Sequence, residues 1–158
     1  MNIRNKIVTA GSLQKKIAKH RREGKKIAFT NGCFDILHFG HVHYLEKAKK
    51  PGRILIVGLN SDRSIKSIKD PGRPVVTDKQ RAGVLAGLSS VDYVVIFNEP
   101  TPVKLIQQLR PDVLIKGADW KGKKLAGQSV VKKVELIRYL PNISTTNIIR
   151  KITSAYAK

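Results

Sequence analysis

Short, almost uninterrupted apolar runs alternate along this chain with stretches of helical spacing, and no other feature narrows the fold as far. Lys26 to Thr30, Arg53 to Leu59, Tyr93 to Phe97, Val113 to Lys116 and Val134 to Leu140 are five candidate strands. The second is apolar at nearly every position, as a parallel strand covered on both faces is. Amphipathic segments with start and stop signals lie between them. Ser12 is placed to cap a helix through Leu13, Ile17 and Ala18 to about Glu23, with Gly24 ending it. A second helix is expected from about Gly40 to Lys50, stopped by Pro51-Gly52, and Asp78 can cap a third from Lys79 through Leu88. Pro102 opens a fourth that ends near Arg110, and Ser144, Thr145 or Thr146 caps a last one through Ile148, Ile149 and Ile152. Alternation at this spacing predicts an α/β fold, a doubly wound parallel five-stranded sheet of Rossmann-like type. Residues 1–11 read as a loosely held arm, and residues 12–158 as a single domain.

In such a sheet, ligands bind beyond the carboxyl ends of the strands, where the strand order reverses. The loops after Thr30, Leu59, Phe97, Lys116 and Leu140 are therefore where chemistry is expected. The loop after Thr30 is the richest, because His38-Phe39-Gly40-His41 lies just past a strand and opens a helix. Gly40 permits close backbone approach, and first-turn N–H groups have no intrahelical acceptor, so they can receive phosphate oxygens. Two imidazoles three residues apart can then face one anion and stabilise the charge that builds up during phosphoryl or nucleotidyl transfer. A helix-capping or core role fits the same spacing. A metal site shared by His41 and His43 does not, since the two lie about 200° apart on a helix.

Composition sets the remaining bounds. Hydrophobic residues make up 41% and charged residues 27%, an ordinary globular balance. No apolar run approaches the length of a bilayer span and no signal-peptide pattern opens the chain, so a soluble cytoplasmic protein is expected. Cys33 is the only cysteine, which rules out an internal disulfide and a cysteine-built zinc site. Lys and Arg number 31 against 11 Asp and Glu, a formal net charge of +20. Such a surface favours anionic partners. The cations are spread along the chain, and aromatic residues are only 6%, so a single-strand nucleic-acid platform is not indicated. A nucleic-acid-binding protein is kept as a distant rival.

The run Gly32 to His41 resembles the HxGH signature of the nucleotidyltransferase superfamily, in its cytidylyltransferase-like branch. Phe29 to Asp35, Gly72-Arg73-Pro74-Val75 followed by Gln80-Arg81, Val91 to Val95 with Thr101-Pro102, and Ser144 to Ile149 are similar to the D-glycero-β-D-manno-heptose 1-phosphate adenylyltransferases. This resemblance runs from about Leu13 to Ile152. Bifunctional members of that family carry a sugar-kinase domain too large for this length, so a stand-alone transferase is expected. Glycerol-3-phosphate cytidylyltransferase is the second resemblance, through Gly117 and Asp119 to Lys123. That family has arginines where this chain has Tyr139 and Ser89, and a glycine where it has Asn142.

The resemblance implies that ATP and a phosphorylated acceptor meet over the sheet edge, with AMP transferred to a sugar 1-phosphate and pyrophosphate released. It implies catalytic roles for His38, His41 and Lys69. Nucleotide contacts fall to Cys33, Phe34, Gly40, Gly117, Asp119, Ser144, Thr145 and Thr146, and substrate contacts to Asp35, Asp62, Arg73 and Arg81. The same side chains have plainer uses: Phe34 and Cys33 as core filling, the carboxylates and hydroxyls as helix caps, the cations as solvated surface. Mg²⁺ is expected as cofactor, held by nucleotide phosphates with no protein ligand, and a homodimer is expected from the habit of relatives. Alternatives within the enzyme class are a glycerol-3-phosphate cytidylyltransferase and an adenylyltransferase for another phosphate such as FMN.

Overall fold

The computed structural model describes residues 2–157. Five strands form one parallel sheet: β1 (Lys26–Gly32), β2 (Arg53–Asn60), β3 (Tyr93–Phe97), β4 (Val113–Gly117) and β5 (Lys133–Ile137), in the order β3-β2-β1-β4-β5. The chain works outward from β1 to β3, then returns to place β4 on the other side of β1. The order therefore reverses between β1 and β4, which puts a crevice above their carboxyl ends.

Helices cover both faces: α1 (Ala10–Arg22), α2 (Phe39–Ala48), α3 (Asp62–Ile68), α4 (Asp78–Gly87), α5 (Val103–Leu109) and α6 (Thr145–Tyr156). Successive strand residues point to opposite faces, so each strand feeds two cores. Ala28, Leu55, Val57, Val113 and Ile115 pack with Leu45 of α2 and Leu85 of α4. Ile27, Phe29, Ile56 and Leu114 pack with Leu13 and Ile17 of α1 and with Leu105 and Ile106 of α5. Double coverage is why β2 reads as a continuous apolar run. Gly58 interrupts it for a steric reason, since a Cβ there would lie 2.5 Å from the fully buried Phe29 ring.

Three local readings are revised. The first helix starts at Ala10, and its cap is Thr9, whose hydroxyl accepts from the Ser12 amide. The arm before it is docked: Ile7 bridges to Val94, the Val8 amide donates to the Val94 carbonyl, and buried Lys6 donates to the Leu88 carbonyl at 2.9 Å. This covers an otherwise open sheet edge, which a strand edge at β3 demands. The last strand ends at Ile137, three residues before the expected Leu140, because the chain leaves the sheet there to cross the crevice. Helix α3 was not foreseen. It has only seven residues, most of them polar, and it rests on the Ser61 cap.

Candidate active site

The loop from β1 to α2 is held in a conformation it would not adopt alone. Phe34 and Ile36 both have φ near +45°, in the left-handed region that β-branched residues avoid. Each such residue costs on the order of 1–3 kcal/mol and persists only where its surroundings fix it. Here the surroundings do. The fully buried Asp35 carboxylate accepts from Arg73 Nε at 2.6 Å and from the Val75 and Val76 amides at 3.0–3.1 Å. The Thr145 hydroxyl donates to the Asp35 carbonyl at 2.7 Å, and buried Arg81 donates to the Cys33 carbonyl. Burial alone would raise the Asp35 pKa, but the Val76 and Val75 amides and the Arg73 guanidinium outweigh it and keep the carboxylate ionised.

That loop delivers the histidines. His38 is the N-cap of α2, and its ring stacks on that of His41 at 3.9 Å with planes 24° from parallel. Phe34 also lies against His41, tilted, 5.2 Å between centroids. The His38 amide donates to His41 Nδ1 at 3.4 Å, which leaves the proton of a neutral His41 on Nε2. Gly40 makes the stack possible, since a Cβ at that position would sit 3.0 Å from the His38 ring. Burial lowers the pKa of both imidazoles, and His41, with His38 beside it and only Asp35 opposing, is pushed down to about 4. The rings are therefore neutral donors at pH 7 until an anion arrives. Buried His38 Nδ1 has no hydrogen-bond partner among the described residues.

Both rings open onto a cavity of about 700 Å³ over the β1–β4 crevice. Of the residues expected at the site, Cys33, Phe34, Asp35, His38, Gly40, His41, Lys69, Arg73, Gly117, Ser144, Thr145 and Thr146 line it. The N-termini of α2 and α6 thus face one space, and exposed amides with their helix dipoles favour an anion there. Ser144 also caps α6 through the Asn147 amide. Asn142 has φ +62°, so the left-handed turn that a glycine would supply survives with asparagine.

Asp62, Arg81 and Asp119 do not line the cavity. Arg81 donates to Asp62 at 2.7 Å, to the Val76 and Asn60 carbonyls and to that of Cys33, so its guanidinium is committed to bracing three segments. Asp35 lines the wall, but its oxygens are fully engaged inside the protein. Asp35 and Arg81 hold bracing positions inside the protein, while Asp62 pairs with Arg81 through Oδ1 and keeps its side chain part-exposed. Cys33 is half-buried, and burial pushes its thiol pKa up, away from the nucleophilic thiolate.

Sequence reasoning overlooked Asn31, Thr101, Lys116, Trp120 and Tyr139, all of which line the cavity. Asn31 and Lys116 are polar residues one position before the ends of β1 and β4, on either side of the strand-order reversal, a signal present in the sequence. The Tyr139 ring lies over Gly117 so closely that a Cβ there would be 2.1 Å away, and it stacks on Tyr44 at 5.8 Å.

The family model described as cytidylyltransferase-like matches residues 29–151, from within β1 into α6. This chain belongs to the cytidylyltransferase-like family. Among curated members it is 58% identical over 131 residues to the bifunctional protein HldE of Campylobacter fetus, covering 83% of this chain and 29% of that protein. It is 55% identical over 140 residues to HldE of Helicobacter pylori, covering 89% and 30%. The chain therefore spans about three tenths of the length of the curated relatives it matches. A solved lipopolysaccharide core biosynthesis protein from Thermoplasma volcanium superposes with a TM-score of 0.60 at 28% identity, over 73% of this chain and 96% of the other. The pantoate-beta-alanine ligase of Francisella tularensis superposes with a TM-score of 0.55 at 17% identity, over 96% and 79%, a likeness of fold alone. The cytidylyltransferase-like fold thus extends through the whole sheet, and the HxGH segment falls inside the matched range.

Proposed function

We propose that the chain is a nucleotidyltransferase that moves AMP from ATP to a sugar 1-phosphate, D-glycero-β-D-manno-heptose 1-phosphate, giving ADP-heptose and pyrophosphate. The observation that carries this reading is the stacked His38–His41 pair, set between two helix N-termini on one cavity. An oxygen of the acceptor phosphate attacks the α-phosphorus of ATP. The bond from that phosphorus to the α–β bridging oxygen breaks in line, and pyrophosphate leaves with the electron pair. Negative charge grows on the oxygens about the α- and β-phosphorus, where His38 and His41 donate. An approaching triphosphate raises their pKa and draws them toward the protonated form. Lys69 and Arg73 line the same cavity and complete the cationic wall on the β2 side.

The sugar-phosphate acceptor is supported by the motif resemblance across Leu13 to Ile152, by Tyr139 and Ser89 in place of arginines, and by the similarity to HldE proteins. The similarity to a lipopolysaccharide core biosynthesis protein, a class of saccharide-building function by its name, agrees with a sugar-derived acceptor. Among the described residues no three His, Cys, Asp or Glu side chains are grouped to hold a metal. In this reading Mg²⁺ enters as part of the nucleotide complex, held mainly by phosphates. No helix among the described residues is long and apolar enough to cross a membrane. The reading includes a homodimer, for which Leu136 of β5 and Ile152 and Tyr156 of α6 are exposed apolar candidates.

Pyrophosphate release, measured with ATP and CTP each crossed with heptose 1-phosphate, glycerol 3-phosphate and FMN, tests it. Turnover is expected with ATP and heptose 1-phosphate. Selective turnover of CTP with glycerol 3-phosphate, or of ATP with FMN, would replace it.

A further inference from the structure

Lys116 is the cation in the cavity wall with the least plain explanation. It is the penultimate residue of β4, is only 8% exposed, and among the described residues forms no ion pair with any carboxylate within 4 Å. Its ammonium donates to Asn31 Oδ1 and lies 5.3 Å from the Trp120 ring centroid. An ammonium has three donors, and the Asn31 contact uses one. A charge this deeply buried is unfavourable, and burial pushes its pKa down to about 8 despite the opposing field of Asp119. The other cationic side chains of the wall differ. Arg73 is paired with Asp35, and Lys69 is exposed.

Strand alternation places Lys116 relative to the histidines. Val113 and Ile115 belong to the core beneath α2 and α4, and Leu114 to the core beneath α1 and α5. Lys116 follows Leu114 onto that second face, and Asn31 follows Phe29 there from β1. The histidines ride on α2, over the first face. The cavity joins the two sides across the sheet edge, with Thr101 and Pro102 lining it as well. In-line displacement puts the attacking oxygen and the leaving pyrophosphate on opposite sides of the α-phosphorus. With the leaving phosphates on the α2 side, the attacker belongs on the other side, and it carries a dianionic phosphate.

We propose that Lys116, positioned by Asn31 and Trp120, grips the phosphate monoester of the acceptor and holds its oxygen for attack. This rests on the nucleotidyl-transfer reading above, and it adds a substrate-contacting residue on the second face of the sheet. The dianion would supply the counter-charge that the protein withholds, with two donors still available for its oxygens.

Lys116→Met and Lys116→Gln, which keep the stem without the charge, separate this from a structural role. Both should melt at or above the wild-type temperature, because a buried ammonium has been removed. With heptose 1-phosphate as acceptor, both should raise its KM by about 10- to 100-fold while the KM for ATP stays within about two-fold. An unchanged acceptor KM, or equal rises for both substrates, would overturn the assignment. If the wild type accepts glycerol 3-phosphate and rejects heptose 1-phosphate, the sugar reading falls. The same pair of KM values with glycerol 3-phosphate then decides Lys116, because both acceptors are phosphate monoesters. If FMN alone is turned over, its KM serves the same comparison, and turnover of no phosphate-monoester acceptor by the wild type sinks both proposals.

Discussion

His41 shows how the site is set against the stability of the fold. Its environment holds the imidazole neutral down to about pH 4, whereas the unfolded chain protonates it near 6.5. Between those values folding expels a proton, so stability is full above about pH 6.5 and falls as the pH drops through the window. By pH 4.5 the loss from this one group is roughly 2–3 kcal/mol. His41→Asn removes the titration without a large change in size. Urea unfolding at pH 7 and pH 4.5 should therefore show a smaller acid loss in the variant than in the wild type. Equal losses would mean that His41 is not desolvated as described. The pairing of the two rings was legible in the sequence, because two histidines three residues apart at a helix start can face one space, whether as a phosphate site or as a cap. Their neutrality was not legible, since it comes from Phe34 and from the loop that packs around them.

At the scale of elements, the loop bearing the histidines and the segment from Gly72 to Val76 form one unit through Asp35. The sequence offered this aspartate as a substrate contact. The structure turns its oxygens inward, because two amides and a guanidinium reach it first. Arg81 has a structural position that the sequence did not show: the carbonyls of Cys33, Asn60 and Val76 converge on its guanidinium. Asp35→Asn leaves the shape and removes the charge. Breaking a buried pair in this way costs roughly 3–5 kcal/mol. Amide exchange should quicken at Val75 and Val76 while the strands of the sheet stay protected. Unchanged protection at those two amides would show that Asp35 does not hold the segment. The docked arm and α3 were hidden for a related reason: their placement depends on the β3 edge and on the Ser61 cap, not on any apolar period.

The architecture of the whole molecule was the easiest part to anticipate. Five apolar runs separated by helical stretches leave few topologies besides a doubly wound parallel sheet, and the strand-order reversal then names the loops that matter. What the sequence could not give was the sidedness of the crevice, with histidines on one face of the sheet and Lys116 on the other. That follows from strand register and from which core each neighbouring residue enters. The charge of +20 also resolves in part. Glu135 gathers Arg53, Lys50 and Lys133 at the opposite end of the sheet, remote from the carboxyl edge. These three cations therefore lie away from the cavity. The proposed transfer rests instead on the two stacked imidazoles at the edge, neutral until a triphosphate arrives. Steady-state pyrophosphate release from ATP and heptose 1-phosphate, compared between the wild type and the single variants His38→Ala and His41→Ala, addresses that claim. Each variant should keep its fold by circular dichroism and lose about 10²- to 10³-fold in kcat, the scale of removing a donor to developing charge. Near-normal turnover in both would show that the stacked imidazoles do not serve the reaction.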